Sequence, residues 1–193
     1  MYERINSHKL PKSAREAKEV YHYAQSSQFL MRSQLDCSDE RLPNRTFDLK
    51  TRACVSIRHD RANYAESSGY QILQSNGLWE SFEREYWDMV RAAFLKYNFQ
   101  VRIGNMDGIF VAYHNTSQLF GFQYITLDEM SERLFGSAQM GELAYRLSLG
   151  LLEKILEAAV EHFPDESLGI TLETRAGASA MNVLVQSEDG SRI

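Results

Sequence analysis

At 193 residues, 44% hydrophobic and 24% charged, the chain has the make-up of an ordinary soluble globular protein, long enough for one sizeable core. Two cysteines, Cys37 and Cys54, are too few for a disulfide framework, no apolar run approaches the roughly 20 residues that span a bilayer, and the opening segment has the character of neither a secretory signal nor a transit peptide. The formal charge of −5 argues against binding nucleic acid by bulk charge, but residues 1–127 hold 16 Lys/Arg against 14 Asp/Glu and residues 128–193 hold 5 against 12, so a phosphate-facing surface is expected in the first part.

Ser13 and Glu16 have capping-box spacing, which predicts a first helix from about Lys12 to Ala24, after a loose stretch 1–11. Residues 28–36 alternate as a strand with one mostly polar face, Phe29, Met31, Ser33 and Leu35 opposing Gln28, Leu30, Arg32, Gln34 and Asp36. After the turn-like SDERLPNR, residues 46–58 alternate again, with Asp48, Lys50, Arg52, Cys54 and Arg58 on one side and Phe47, Leu49, Thr51, Val55 and Ile57 on the other. A strand of that length needs a bend or bulge. The two runs read as an antiparallel pair.

From an N-cap at Asn76, apolar residues Trp79, Phe82, Tyr86, Met89, Val90, Ala93, Phe94 and Tyr97 recur at helical spacing. Strands are expected at 99–104, 109–114 and 119–125. Thr126 with Glu129 forms a second capping box before a short helix, and a longer helix over about 140–162 stops before Pro164. Strands near 168–174 and 180–186 precede a loose tail, 187–193. The order is that of a single α+β domain spanning 1–193, a mixed β-sheet flanked by helices.

With the hairpin centred near residue 42, Asp36 lies opposite Asp48 and Gln34 opposite Lys50, all on one face. Opposed carboxylates repel unless a cation sits between them, and Mg²⁺ typically takes one or two protein carboxylates plus water and phosphate oxygens. Lys50 shares the face and could orient the attacking water and offset phosphate charge. On spacing alone, a solvated hairpin face is the commoner outcome. Arg41, Arg45, Lys50, Arg52, Arg58 and Arg61 form the densest basic cluster, against a solvated surface as the bland alternative. Arg102 and Asp107 flank the Gly104-Asn105-Met106 turn, where RNA contact and turn chemistry explain them equally. Glu80–Arg84 and Arg84–Asp88 have the spacing of exposed helix pairs. The five histidines show no zinc-ligand spacing, and no Gly-rich phosphate loop is present.

The strings FLMRSQLD (29–36), FDLKTRA (47–53), ESFEREYWDMVRAAFLKY (80–97), QVRIGNMDGIFVAYHNT (100–116) and FGFQYI (120–125) together resemble the fungal mitochondrial RNA 5′-end processing and RNA degradation family, a branch of the PD-(D/E)xK nuclease superfamily. The resemblance runs from about Lys18 to Glu173. It implies a PD-(D/E)xK, restriction-endonuclease-like core, an RNA substrate, a mitochondrial address, Mg²⁺ or Mn²⁺ dependence, and other mitochondrial RNA-processing or transcription proteins as partners. It carries catalytic roles onto Asp36, Asp48 and Lys50, with Asp36 and Asp48 as metal ligands, although Leu35 stands where the superfamily usually has Pro. Gln34, Arg52, Glu83 and Arg84 are expected to support the site, and Arg41, Arg45, Arg58 and Arg102 to contact RNA. Family members have a long upstream region, expected to supply the acidic residue often contributed by the first core helix; Glu16 and Glu19 are the nearby substitutes here. Two functions follow: a metal-dependent ribonuclease in mitochondrial RNA 5′-end processing and turnover, or a non-catalytic RNA-binding or adaptor subunit that recruits other RNA enzymes.

Overall fold

A mixed sheet with a helical crossover organises the computed structural model of the chain, which describes residues 20–26 and 28–188. Strands β1 (Val20–Ser26) and β2 (Phe29–Leu35) pair with each other. A four-stranded sheet follows the order β3 (Cys37–Ser38), β4 (Thr46–Ala53), β5 (Gly108–His114), β6 (Leu119–Thr126). β4 runs antiparallel to β3 and parallel to β5, and β5 runs antiparallel to β6. A parallel pair needs a long crossover. Helices α1 (Val55–His59), α2 (Phe82–Ala92) and α3 (Phe94–Ile103) provide it, and α4 (Leu127–Phe135) follows β6.

Two compact units divide the chain, Met1–Gln25 with Leu30–Gly141, and Ser26–Phe29 with Glu142–Ile193. The second holds most of helix α5 (Ala138–His162) and the antiparallel hairpin of β7 (Leu168–Thr174) and β8 (Met181–Ser187).

Strand register locates the core of the first unit. Asp48, Ile109 and Ile125 form one cross-strand row, Lys50, Val111 and Gln123 the next, and Arg52, Tyr113 and Gly121 a third. Ile109, Val111, Tyr113 and Ile125 are buried and cluster with Tyr86 and Met89 of α2, Phe94 and Val101 of α3, and Met130 of α4. Side chains two apart in a strand share a face, so the polar residues of β4 point to the face that carries the core. The opposite face bears the aromatic cluster of Phe47, Phe110 and Tyr124.

Five sequence-based expectations need correction. The run 28–36, expected to pair antiparallel with 46–58, pairs with β1 instead, and only Cys37 and Ser38 of β3 pair with β4. Residues 20–24, assigned to a helix, lie in β1, where the β-branched and aromatic run Val20-Tyr21-His22-Tyr23 outweighs the upstream cap signal; Ser13 and Glu16 lie outside the described residues. The long strand 46–58 ends at Ala53. Cys54 N–H still donates to His114 O at 2.8 Å, and the chain then turns into α1, in which Val55 and Ile57 are both buried. Residues 94–103 are helical throughout, because Phe94, Asn98 and Val101 at spacings of four and three are all buried; the short alternation at 99–104 also fits a strand and misleads. The helix expected from Asn76 starts at an N-cap on Ser81, whose Oγ accepts from Arg84 N, and is interrupted at Ala93. The remaining helices and strands after residue 108 lie close to their expected bounds.

Candidate functional site

β3 pairs Cys37 with Phe47 and Ser38 with Thr46, a register centred on residue 42. The ladder ends at Cys37, and the next residue, Asp36, turns toward β4. Its Oδ2 accepts from Leu49 N–H at 3.4 Å, which sets its carboxyl beside that of Asp48. Gln34 does not reach Lys50: it is exposed on β2, whose strand partner is β1.

Asp48 is fully buried beneath α3. Burial pushes its carboxyl up to about 6, the Asp36 carboxyl beside it adds to the rise, and Lys50 opposes it. The Lys50 ammonium is ion-paired with Asp48 Oδ2 and donates to Gln100 Oε1 at 3.0 Å. Gln100 Nε2 in turn donates to Asp48 Oδ1 at 3.3 Å, closing a three-residue ring, and Lys50 Nζ lies 5.3 Å from the centre of the Tyr97 ring. Gln100 falls in the stretch 99–104 that reads as a strand, and Tyr97 falls on the apolar helical stripe expected in the core, so neither is singled out by the sequence. Placing 94–103 on a helix puts both, three apart, on one side.

The third polar residue of the row, Arg52, is engaged elsewhere. Its Nη2 donates to Asp88 Oδ2 of α2 at 2.7 Å, an oxygen that the Arg58 guanidinium also binds. Arg58 Nε donates to Ala53 O at 2.7 Å, and Arg58 Nη2 lies 3.7 Å from Glu85 Oε2. Both oxygens of Glu85 accept from Val55 N–H at 3.0 Å, capping the start of α1. Burial raises the Glu85 carboxyl, against the pull of Val55 N–H and Arg58. Burial also works against the Asp88 carboxylate, but hydrogen bonds and charge from Arg58 and Arg52 outweigh it and hold the group below its ordinary value. This cluster fastens β4 and α1 to α2.

The other expected site residues are placed as follows. Glu83 accepts from Gly77 N–H at 2.8 Å, while Arg84 donates to Leu78 O at 2.7 Å and covers the Trp79 ring at 4.2 Å, so both organise the turn before α2. Arg41 is exposed and forks onto Asp39 two residues away. Arg45 is exposed at a positive φ of 61°. Arg102 donates to Asn98 Oδ1 and Ser131 Oγ, each at 3.0 Å, tying α3 to α4. Glu16 and Glu19 lie outside the described residues.

Among the described residues, no three His, Cys, Asp or Glu side chains converge as a metal-binding set. Asp36 and Asp48 are the two carboxyls that lie together at this face. A directly opposed pair of carboxyls, one of them buried and made a weaker acid by that burial, has the chemistry to take a hard dication between its members.

A profile of the family described as mitochondrial protein Pet127 matches residues 1–157. Over 158 residues the chain is 47% identical to the mitochondrial mRNA degradation protein pet127 of Schizosaccharomyces pombe, covering 81% of this chain and 30% of that protein. Over 116 residues it is 53% identical to PET127 of Saccharomyces cerevisiae, described provisionally as a mitochondrial translation system component, covering 58% of this chain and 14% of that protein. The aligned part of the chain thus spans less than a third of the length of either relative.

Proposed function

This chain belongs to the Pet127 family of mitochondrial proteins, and we propose that it acts in mitochondrial RNA turnover as a metal-dependent ribonuclease on a PD-(D/E)xK core. The observation that carries this reading is the burial of Asp48, beside Asp36 and ion-paired with Lys50, on the core face of the sheet. Folding alone gives no reason to bury the Asp48 carboxyl beside a second one at the surface, since neighbouring like charge and desolvation both oppose it. Such groups cluster where chemistry is done.

Asp36 and Asp48 would hold Mg²⁺ or Mn²⁺, which supplies Lewis acidity at a phosphate oxygen. Lys50, held by Gln100 rather than by solvent, is positioned to orient water toward phosphorus and to stabilise charge building on the phosphoryl oxygens. Gln100 bonds both Asp48 and Lys50 and so sets the distance between them. The name of the fission-yeast relative supports RNA as the substrate class. A second reading, a non-catalytic RNA adaptor, is favoured by one observation: Lys50 is closed off by Asp48 and Gln100 in the structure.

Cleavage of single-stranded RNA under single-turnover conditions, with Mg²⁺ and with EDTA, on protein of the relatives' full length separates the two. Lys50→Ala is expected to slow cleavage by about 10²–10⁴-fold while RNA affinity stays within several-fold, as for a group acting in the transition state. Calorimetry should show Mn²⁺ binding that Asp48→Asn abolishes. Retained RNA binding without metal-dependent cleavage would establish the adaptor, and unchanged Mn²⁺ affinity in both Asp36→Asn and Asp48→Asn would place any metal elsewhere.

A further inference from the structure

The arginines expected to meet RNA are largely committed within the protein: Arg58 to Asp88, Arg102 to Asn98 and Ser131, and Arg41 to Asp39. A different pair of cations lines a groove that shares Gln100 with the carboxylate site. Within the first unit a groove of about 490 Å³ is lined by Arg32 and Ser33 of β2 and by Lys96, Phe99, Gln100 and Ile103 of α3. Gln100 is also the residue that binds Asp48 and Lys50, so groove and site are continuous through one side chain.

Charge distinguishes this groove from the four other cavities described. Each of those is lined by carboxylates: Glu83 and Glu129 in the first, Glu83 and Asp88 in the second, three glutamates in the third, and Asp107 and Asp128 in the fourth. Here Arg32 and Lys96 stand with no carboxylate in the lining. In a chain of formal charge −5, such a groove is where a polyanion is drawn. The Arg32 guanidinium rests over the Tyr21 ring at 4.7 Å, which orders it while leaving it exposed, and Lys96 is exposed one turn before Gln100.

We propose that this groove holds the single-stranded RNA segment adjoining the phosphate under attack, Arg32 and Lys96 each taking one backbone phosphate and Phe99 forming part of the floor beneath the strand. The inference rests on the RNA reading above. It deepens that reading by placing the strand along α3 rather than across the loop of Arg41 and Arg45. A single strand suits a narrow cationic groove with an aromatic lining residue better than a duplex does.

The test is the affinity of the full chain for fluorescent single-stranded RNA across a series of KCl concentrations. Each lost phosphate contact removes about 0.7 from the log–log salt slope on single strands, so Arg32→Ala/Lys96→Ala should flatten it by about 1.4 and weaken binding about tenfold or more at low salt. Lys96→Arg should keep the parental slope. Both side chains are exposed, so circular dichroism should confirm an intact fold. Arg146→Ala/Lys154→Ala, exposed residues of the second unit, removes the same net charge and should leave the slope unchanged. A slope unaltered in the groove variant, or altered equally in both, removes the groove from the RNA path; Mg²⁺-dependent cleavage by the parent would then show that the ribonuclease reading survives. A parent chain with no salt-dependent RNA binding overturns groove and RNA reading together.

Discussion

Asp88 joins two arginines across three elements, and its removal should be felt well away from the carboxylate pair. Asp88→Asn leaves Arg52, only 6% exposed, without its counter-charge, a change that destabilises by about 2–4 kcal/mol near neutral pH. Because the folded-state value is depressed, the contribution of Asp88 is complete above the ordinary carboxylate range and disappears as pH falls through the folded value. Urea denaturation across pH should therefore show a gap between parent and variant that is widest at neutrality and closes in acid; a gap constant down to low pH would mean that packing, not charge, is what Asp88 provides. At this scale, the facing of Asp36 and Asp48 follows from the register sum and the placing of Lys50 from strand alternation, whereas the same sum fails for Gln34, which lies on β2 paired with β1. Glu85, Asp88 and Gln100 could not, since nothing in a helical wheel says which strand residue a helix will cover. The Arg84–Asp88 pair expected on the surface is replaced by Asp88 with Arg52 and Arg58, which only the crossover brings together.

Elements whose alternation or end chemistry points one way, such as β5 to β8 and α4, are legible in the sequence, and stretches where signals compete, such as 76–103, are not. Thr126 accepts from Glu129 N–H at 3.0 Å as the capping spacing predicts, while the Glu129 carboxylate accepts from Tyr86 O–H at 2.6 Å. Thr126→Ala should lower stability by about 1 kcal/mol, measurable as a shift in urea midpoint without a change of slope. Gly108 makes a sharper demand on β5, because a Cβ there would stand 2.3 Å from Ile125 O, a backbone atom in the paired strand. Gly108→Ala is expected to destabilise by at least about 1–3 kcal/mol through overpacking, and a variant as stable as its parent would show that β5 and β6 can separate locally. The missed helix over 94–103 marks the limit of pattern reading. Its apolar positions admit both periods, and burial beneath the sheet, invisible in one sequence, decides between them.

Across the whole molecule, the unequal division of charge read from composition has a structural counterpart, since the cation-lined groove and the buried ionic clusters all fall in the first unit. β4 runs through that unit with its alternation reversed relative to an ordinary half-buried strand, its polar side chains turned to the core and Leu49 left exposed. Buried ion pairs replaced by apolar side chains of similar volume are often neutral or stabilising. Opposing pressures should therefore act on this one strand. In a library randomised at residues 48, 50 and 52 together with residues 85, 88 and 100, and propagated only by resistance to proteolysis, the interior row should drift toward aliphatic residues. Lineages required to keep the protein's cellular role should retain the inward-facing acid and amine at 48 and 50. The strand would then record, in which substitutions accumulate, the difference between what evolution needs for a fold and what it needs for a function.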